Sequence, residues 1–276
     1  MSVQFYRILP AILTASILLF SSLKGHAEPA GRQLISSSQP VVRERQRVNV
    51  DSRSEEWRLE WRTPPQPDCD PSSEEWYTCP CDGFAFGEKG ELDLVRERAG
   101  MPEERLSLSL YFAPYNEDSK AMAQLQRWPV RDGDFERMSQ PGFSRLVTSR
   151  PIVRIINLAD YDHDGRATEF LFQIGAGPCG HRQIVLVGIS RANPKLHVFG
   201  TVAHPEVPLV LESPDSWKQL LRSKGKTTVI SWPCGDHGSE DETAVELNTG
   251  TNGIRAYRLR YACGPDGKGK LLERTE

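Results

Sequence analysis

Apolar and polar residues alternate strictly over Trp57-Arg58-Leu59-Glu60-Trp61-Arg62, which puts Trp57, Leu59 and Trp61 on one face of a strand before Pro64, Pro65 and Pro67 end it. The same period over Arg105–Phe112 predicts the clearest strand of the chain, with Leu106, Leu108, Leu110 and Phe112 inward and Ser107, Ser109 and Tyr111 outward. Shorter strands are expected at Gly83–Gly87 and Leu92–Val95, while Lys120–Trp128 fits a helical turn or a strand. The stretch 130–150 is rich in turn residues and reads mostly as loop, a possible weak boundary. Beyond it, Ile152–Leu158 and Phe170–Ile174 read as strands flanking an acidic turn, and the nearly continuous apolar run Ile184–Ile189 suits a central strand. Leu196–Val202, Pro208–Leu211, Thr227–Trp232, Thr243–Leu247 and Ile254–Cys263 add more.

One helix is expected. Ser213 is placed to cap it, Pro214 fits its first position, and Trp217, Leu220 and Leu221 share a face. Many short strands with Gly and Pro punctuation predict a mainly β fold, a sandwich or barrel-like antiparallel domain with one short helix, over 56–276.

The first 55 residues follow other rules. Arg7, the apolar run Ile8–Phe20 and the small-residue site Gly25-His26-Ala27 predict a signal peptide over 1–27, too short in its apolar part to span a bilayer of roughly 20 residues. Residues 28–55 are rich in Ser, Gln, Pro and Arg and read as a flexible leader, whose Arg43, Arg45 and Arg47 suit a solvated linker or an anionic surface. The expected location is secreted or periplasmic, with no stable membrane span after cleavage. Removing residues 1–27 deletes Arg7 and Lys24 and no acidic residue, so the net charge of −3 becomes −5. That balance argues against nucleic acid as a partner, which calls for a basic stripe interleaved with aromatics.

All six cysteines, at 69, 79, 81, 179, 234 and 263, follow the signal segment. Their even number predicts up to three disulfides, with Cys69 bonded to Cys79 or Cys81 and two of Cys179, Cys234 and Cys263 joined. Two alternatives compete: a redox pair at Cys79-Pro80-Cys81, and a zinc site from the similar turns Pro178-Cys179-Gly180-His181 and Pro233-Cys234-Gly235-Asp236-His237.

The sharpest chemistry lies at Asp160-Tyr161-Asp162-His163-Asp164-Gly165-Arg166-Ala167-Thr168-Glu169. Alternate carboxylates on a tight turn converge on one point, as a hard cation with oxygen ligands requires, and Gly165 permits the sharp turn. Taking Asp160 as position 1, the closing Glu of an EF-hand would fall at 171, where the residue is Leu171. The stretch Asn157–Gly165 followed by Phe170-Leu171-Phe172 instead resembles the calcium loops of FG-GAP and VCBS type repeats, over about 20 residues and once only. The resemblance implies Asp160, Asp162 and Asp164 as side-chain ligands of calcium and Arg166 as a carbonyl ligand. Its usual carboxylate at position 9 is Thr168 here, so either Glu169 reaches the ion from one place later or Thr168 and water close the shell.

For catalysis, His181, His204 and His237 are the available bases, His237 amid carboxylates, without a Gly-x-Ser-x-Gly or His-Glu-x-x-His motif. The expectation is therefore an exported, disulfide-stabilised β-rich protein with a structural calcium loop, a binding or structural module for an envelope or extracellular ligand. A secreted hydrolase using His181 or His237 is the alternative.

Overall fold

The alternating face at Trp57, Leu59 and Trp61 is almost wholly buried, as its period requires. The computed structural model describes residues 39–69, 81–113, 119–177, 181–264 and 267–276, so the signal segment, Cys79 and Cys179 lie outside the described residues. Its strands are β1 Val41–Val50, β2 Arg53–Trp61, β3 Gln66–Asp68, β4 Gly87–Gly90, β5 Leu92–Glu97, β6 Glu104–Ser107 and β7 Ala123–Gln126. They continue with β8 Glu169–Ala176, β9 Arg182–Gly188, β10 His197–Val198, β11 Lys226–Trp232, β12 Asp241–Gly250, β13 Gly253–Gly264 and β14 Gly267–Thr275. The helices are α1 Cys81–Phe84, α2 Asp134–Arg137, α3 Phe143–Thr148 and α4 Pro214–Arg222.

The strands pair antiparallel in four sheets, ordered β1-β2-β5-β6, β3-β4-β7, β10-β9-β8 and β11-β12-β13-β14. Among the described strands none closes a barrel, which leaves the sandwich-like arrangement. The β10-β9-β8 sheet is apolar on both faces, as the run Ile184–Ile189 predicts. Phe170, Phe172, Val185 and Val187 join Trp57, Leu59, Trp61, Leu94 and Phe112 in one core. Ile184 and Leu186 face the other way and join Trp217, Leu220, Val229 and Leu247 from α4 and the last sheet. Helix α4 forms as its sequence predicts: Ser213 Oγ accepts from Asp215 N at 3.1 Å, and Trp217 Nε1 donates to the carbonyl of Ile184.

Two disulfides are present, Cys69–Cys81 and Cys234–Cys263, with Cα atoms 4.9 and 5.6 Å apart. Each is expected to contribute roughly 2–4 kcal/mol by restricting the unfolded chain. Because Cys81 is bonded to Cys69, the redox pair is excluded; because Cys234 is bonded to Cys263, so is the zinc site built on it.

Several expectations are corrected. The stretch 28–55 is not a leader throughout, since from Val41 it forms the ten-residue β1, paired along its length with β2. Arg43, expected in solvent, is buried against Glu88 and donates to the Val153 carbonyl at 2.9 Å. Strand β6 stops at Ser107, and one turn of 3-10 helix follows at Ser109–Tyr111. Ser109 Oγ accepts from Leu92 N at 2.7 Å, which takes the place of a ladder bond. The tighter turn brings Leu108 and Phe112 both inside and leaves Leu110 76 % exposed.

The segment Ile152–Leu158 is no strand, because its backbone donors go elsewhere: Ile155 N and Ile156 N bond the Glu44 carboxylate at 2.7 and 3.1 Å, and Val153 N bonds the Arg127 carbonyl. Gly83–Gly87 is mostly helix and turn, and 130–150 holds α2 and α3, tied by a buried Arg150–Asp134 pair. Of Leu196–Val202 and Pro208–Leu211, only His197–Val198 and a bridge from Leu211 to Ile184 pair as strands.

The β1–β2 turn consists of Asp51 and Ser52, both at positive φ (47° and 66°), with Val50 opposite Arg53. A two-residue hairpin of this kind favours Asn-Gly, and serine bears a steric cost there. Ser52→Gly is expected to raise stability by about 0.5–1 kcal/mol, read as a higher urea midpoint with unchanged slope.

Candidate functional site

Ala159 and Glu169 exchange backbone hydrogen bonds at 2.9 and 3.3 Å, so residues 160–168 are pinched into a closed loop at the start of β8. Within it the side chains alternate in destination. Tyr161 packs edge-on against Trp217 of α4, at 6.4 Å between ring centroids. His163, at φ 58°, puts Nε2 2.9 Å from the Leu220 carbonyl, which can only accept, so that nitrogen carries the hydrogen. With Tyr161 and His163 fastened to α4, Asp160 and Asp162 turn the other way. Gly165 takes φ 91°, and its N–H donates to Asp160 Oδ2 at 3.1 Å.

Carboxylate oxygens of Asp160, Asp162 and Glu169 lie within 4.8 Å of one another. Oxygens bound to one calcium ion at about 2.3–2.6 Å can be no farther apart than about 5 Å, so this group fits a single ion. Glu169 therefore joins the aspartates although it comes one position late, because the bridge to Ala159 turns its side chain back into the loop: its Oε2 accepts from Tyr161 N at 2.9 Å. Thr168 Oγ1 sits 2.7 Å from Glu169 Oε1 and 2.8 Å from the Ile189 carbonyl. On the facing strand, a Cβ at Gly188 would fall 2.1 Å from the Thr168 carbonyl, so only glycine lets β9 approach here.

Asp164 is not in this group. Its Oδ1 accepts from Arg166 N at 2.9 Å, its Oδ2 from Arg191 N, and its carbonyl from Arg191 Nε at 2.7 Å. It fastens the loop to the segment after β9. Arg166 sends its guanidinium to Asp51 at the β1–β2 turn. Neither contact has a local signal in the sequence, since Asp51 and Arg191 lie far along the chain.

The electrostatics set this loop apart. Elsewhere buried carboxylates have arginine partners: Glu55 with Arg96, Glu60 with Arg58, Glu88 with Arg43 and Arg127, Asp93 with Arg62 and Arg105, Asp134 with Arg150. Asp162 is 1 % exposed and Glu169 0 %, and among the described residues neither forms a salt bridge. Glu242 is also buried without one, but alone. Asp160 Oδ1 and Asp162 Oδ2 are shut off from solvent with no hydrogen-bond partner among the described residues. Burial, and then the charge of Asp164, push Asp162 up to about 7; burial, and then the charge of Asp162, push Glu169 up to about 9. Burial without a cationic side chain among the described residues therefore favours the protonated forms of Asp162 and Glu169 unless a cation is bound.

A second candidate surrounds His181. Its Nδ1 is 3.2 Å from Glu212 Oε2, its ring stacks on Trp232 at 5.7 Å, and it lines a cleft of about 420 Å³ with Ser213, Ser231 and Thr243. Ser231 Oγ is 2.9 Å from Thr243 Oγ1, and among the described residues no hydroxyl or thiol side chain is hydrogen-bonded to His181. The side chain of His237 lies outside the described residues.

A pH dependence follows from the raised carboxyls. Between the unfolded values near 4 and the folded ones, the folded state binds more protons than the unfolded state, so stability falls as pH rises. Without divalent cations, urea unfolding is expected to show a loss on the order of 1–2 kcal/mol between pH 7 and 9, above the range where His197, lowered by burial, titrates.

The chain matches no family model, and no curated protein or solved structure shows significant similarity to it, so the geometry of the site itself carries the functional assignment.

Proposed function

We propose that the protein is an exported, disulfide-stabilised β module whose Asp160–Glu169 loop holds one calcium ion as a structural clip, and that it acts by binding rather than by catalysis. The observation that carries this reading is the pair Asp162 and Glu169, buried without a cationic side chain in a protein that supplies arginine to its other clustered buried carboxylates. All the converging donors are carboxylate oxygens, which suits a hard cation, and their spacing accommodates calcium. The resemblance to FG-GAP and VCBS type loops supports the same ion. It implies Asp164 and the Arg166 carbonyl as further ligands, whereas here both Asp164 side-chain oxygens already accept backbone hydrogen bonds. Export is supported by the N-terminal charge and hydropathy pattern and by two disulfides, which persist in oxidising compartments. Among the described residues no helix is long and apolar enough to cross a membrane.

Extracellular calcium modules bind with Kd of about 10⁻⁴–10⁻³ M. At about tenfold excess over Kd, binding adds about 1.4 kcal/mol. The wild type is therefore expected to melt roughly 3–5 °C higher in millimolar calcium than after removal of divalent ions. Asp162→Asn keeps an oxygen for the Asp164 N–H but loses the charge, so it should abolish most of this shift while leaving the cation-free protein at least as stable. A wild type that shows no calorimetric binding at several millimolar calcium would overturn the assignment.

A hydrolase acting through His181 is the second reading, favoured by the His181–Glu212 contact beside a cleft. Turnover of an ester, peptide or glycoside substrate that is lost in His181→Ala would establish it over the binding reading.

A further inference from the structure

Beside the carboxylate loop, but on its outer side, an open cleft of about 690 Å³ lies between the β1–β2 turn, the end of β5 and the segment after β9. Five arginines line it, Arg53, Arg96, Arg98, Arg166 and Arg191, against two carboxylates, Asp51 and Glu55. In a chain whose net charge is negative this is a marked local excess of positive charge. The two carboxylates are already engaged. Glu55 takes a two-pronged contact from Arg96 at 2.7 and 2.9 Å, and Asp51 accepts from Arg166. Among the described residues the Arg98 side chain reaches only Glu104, at 3.5 Å, and Arg191 bonds the carbonyl of Asp164. Arg53, exposed at the start of β2, has no ion pair among the described residues. The Nε atoms of Arg98 and Arg166 are shielded from solvent without an acceptor among the described residues.

Guanidinium groups present a planar fork that matches carboxylate and phosphate oxygens. Several forks around one concave surface, with their internal acceptors used up, fit a ligand that carries more than one anionic group. We propose that this cleft binds small polyanions bearing phosphate or carboxylate groups, contacted by Arg53, Arg98 and Arg191. The proposal gives the binding reading above a ligand class; it does not rest on calcium occupancy, so the two can fail separately.

The test is calorimetric titration of the full chain, freed of divalent ions by a chelating resin, with inorganic tripolyphosphate in one arm and citrate in the other. Saturable micromolar binding of either at 50 mM NaCl is expected, several-fold weaker at 200 mM as screening grows. The stronger ligand identifies the anionic group. Arg53→Gln and Arg98→Gln should each weaken it about tenfold, which corresponds to the loss of one charge-assisted contact. Lys218→Gln on α4, outside the cleft, should leave binding unchanged. Melting curves confirm that each variant is folded, and the exposed position of Arg53 makes that variant a safe one. The proposal is overturned if neither anion binds below millimolar concentration, which would leave the arginines as charge compensation for the acidic loop. It is equally overturned if binding occurs but Arg53→Gln and Arg98→Gln leave it within twofold of the wild type.

Discussion

Glu169 cannot stay both buried at the head of β8 and ionised unless something of opposite charge sits beside it, and among the described residues no side chain does so. The surrounding structure keeps it there nevertheless. The bridge to Ala159 fixes its backbone, Gly188 lets β9 close over it, and Tyr161 N–H and Thr168 Oγ1 hold its two oxygens. A single-proton hydroxyl between Glu169 and the Ile189 carbonyl satisfies both only when the carboxyl itself carries a proton. Under the proposed reading, a bound cation would replace that proton as the neutralising charge.

The rest of the protein handles buried charge differently. Arg105 bridges Glu60 and Asp93, Arg58 contacts Glu56, Glu60, Glu97 and Glu103, and Arg96 links Glu55 to the Pro194 carbonyl. The Arg58 and Arg105 networks cover the face of the β1-β2-β5-β6 sheet opposite the tryptophan core, whereas Arg96 and Glu55 lie on the face of Trp57. Burying such pairs gives little net stability over an apolar face, but breaking one leaves an unpaired buried charge, so they fix the register of the strands. Against that background, Asp162 and Glu169 stand out as neighbouring buried carboxylates without an arginine among the described residues.

Hydrophobic period reveals structure only where burial is apolar, and that sets what was legible in the sequence. Trp57-Leu59-Trp61, Ile184–Ile189 and the capped helix at Ser213 were readable because one face, or both, is greasy. Strand β1 was not, because over Arg43–Arg47 its contacts are ionic and distant in sequence: Arg43 to Glu88, Glu44 to the backbone of Ile155 and Ile156. The alternation over 105–112 misled because one hydroxyl, Ser109, displaced the ladder and changed the period from two to three. In the loop, the Asp-x-Asp-x-Asp-Gly spacing gave the turn and the convergence of Asp160 and Asp162. It grouped Asp164 with them, whereas the two Asp164 oxygens accept from backbone donors, one of them the distant Arg191 N–H, which spacing alone does not reveal.

The same distant contacts tie the loop to the arginine cleft. Arg166 leaves the loop toward Asp51 of the β1–β2 turn, Arg191 returns from beyond β9 to the Asp164 carbonyl, and both line the cleft. The two proposed sites therefore share Arg166 and Arg191 as the residues between them.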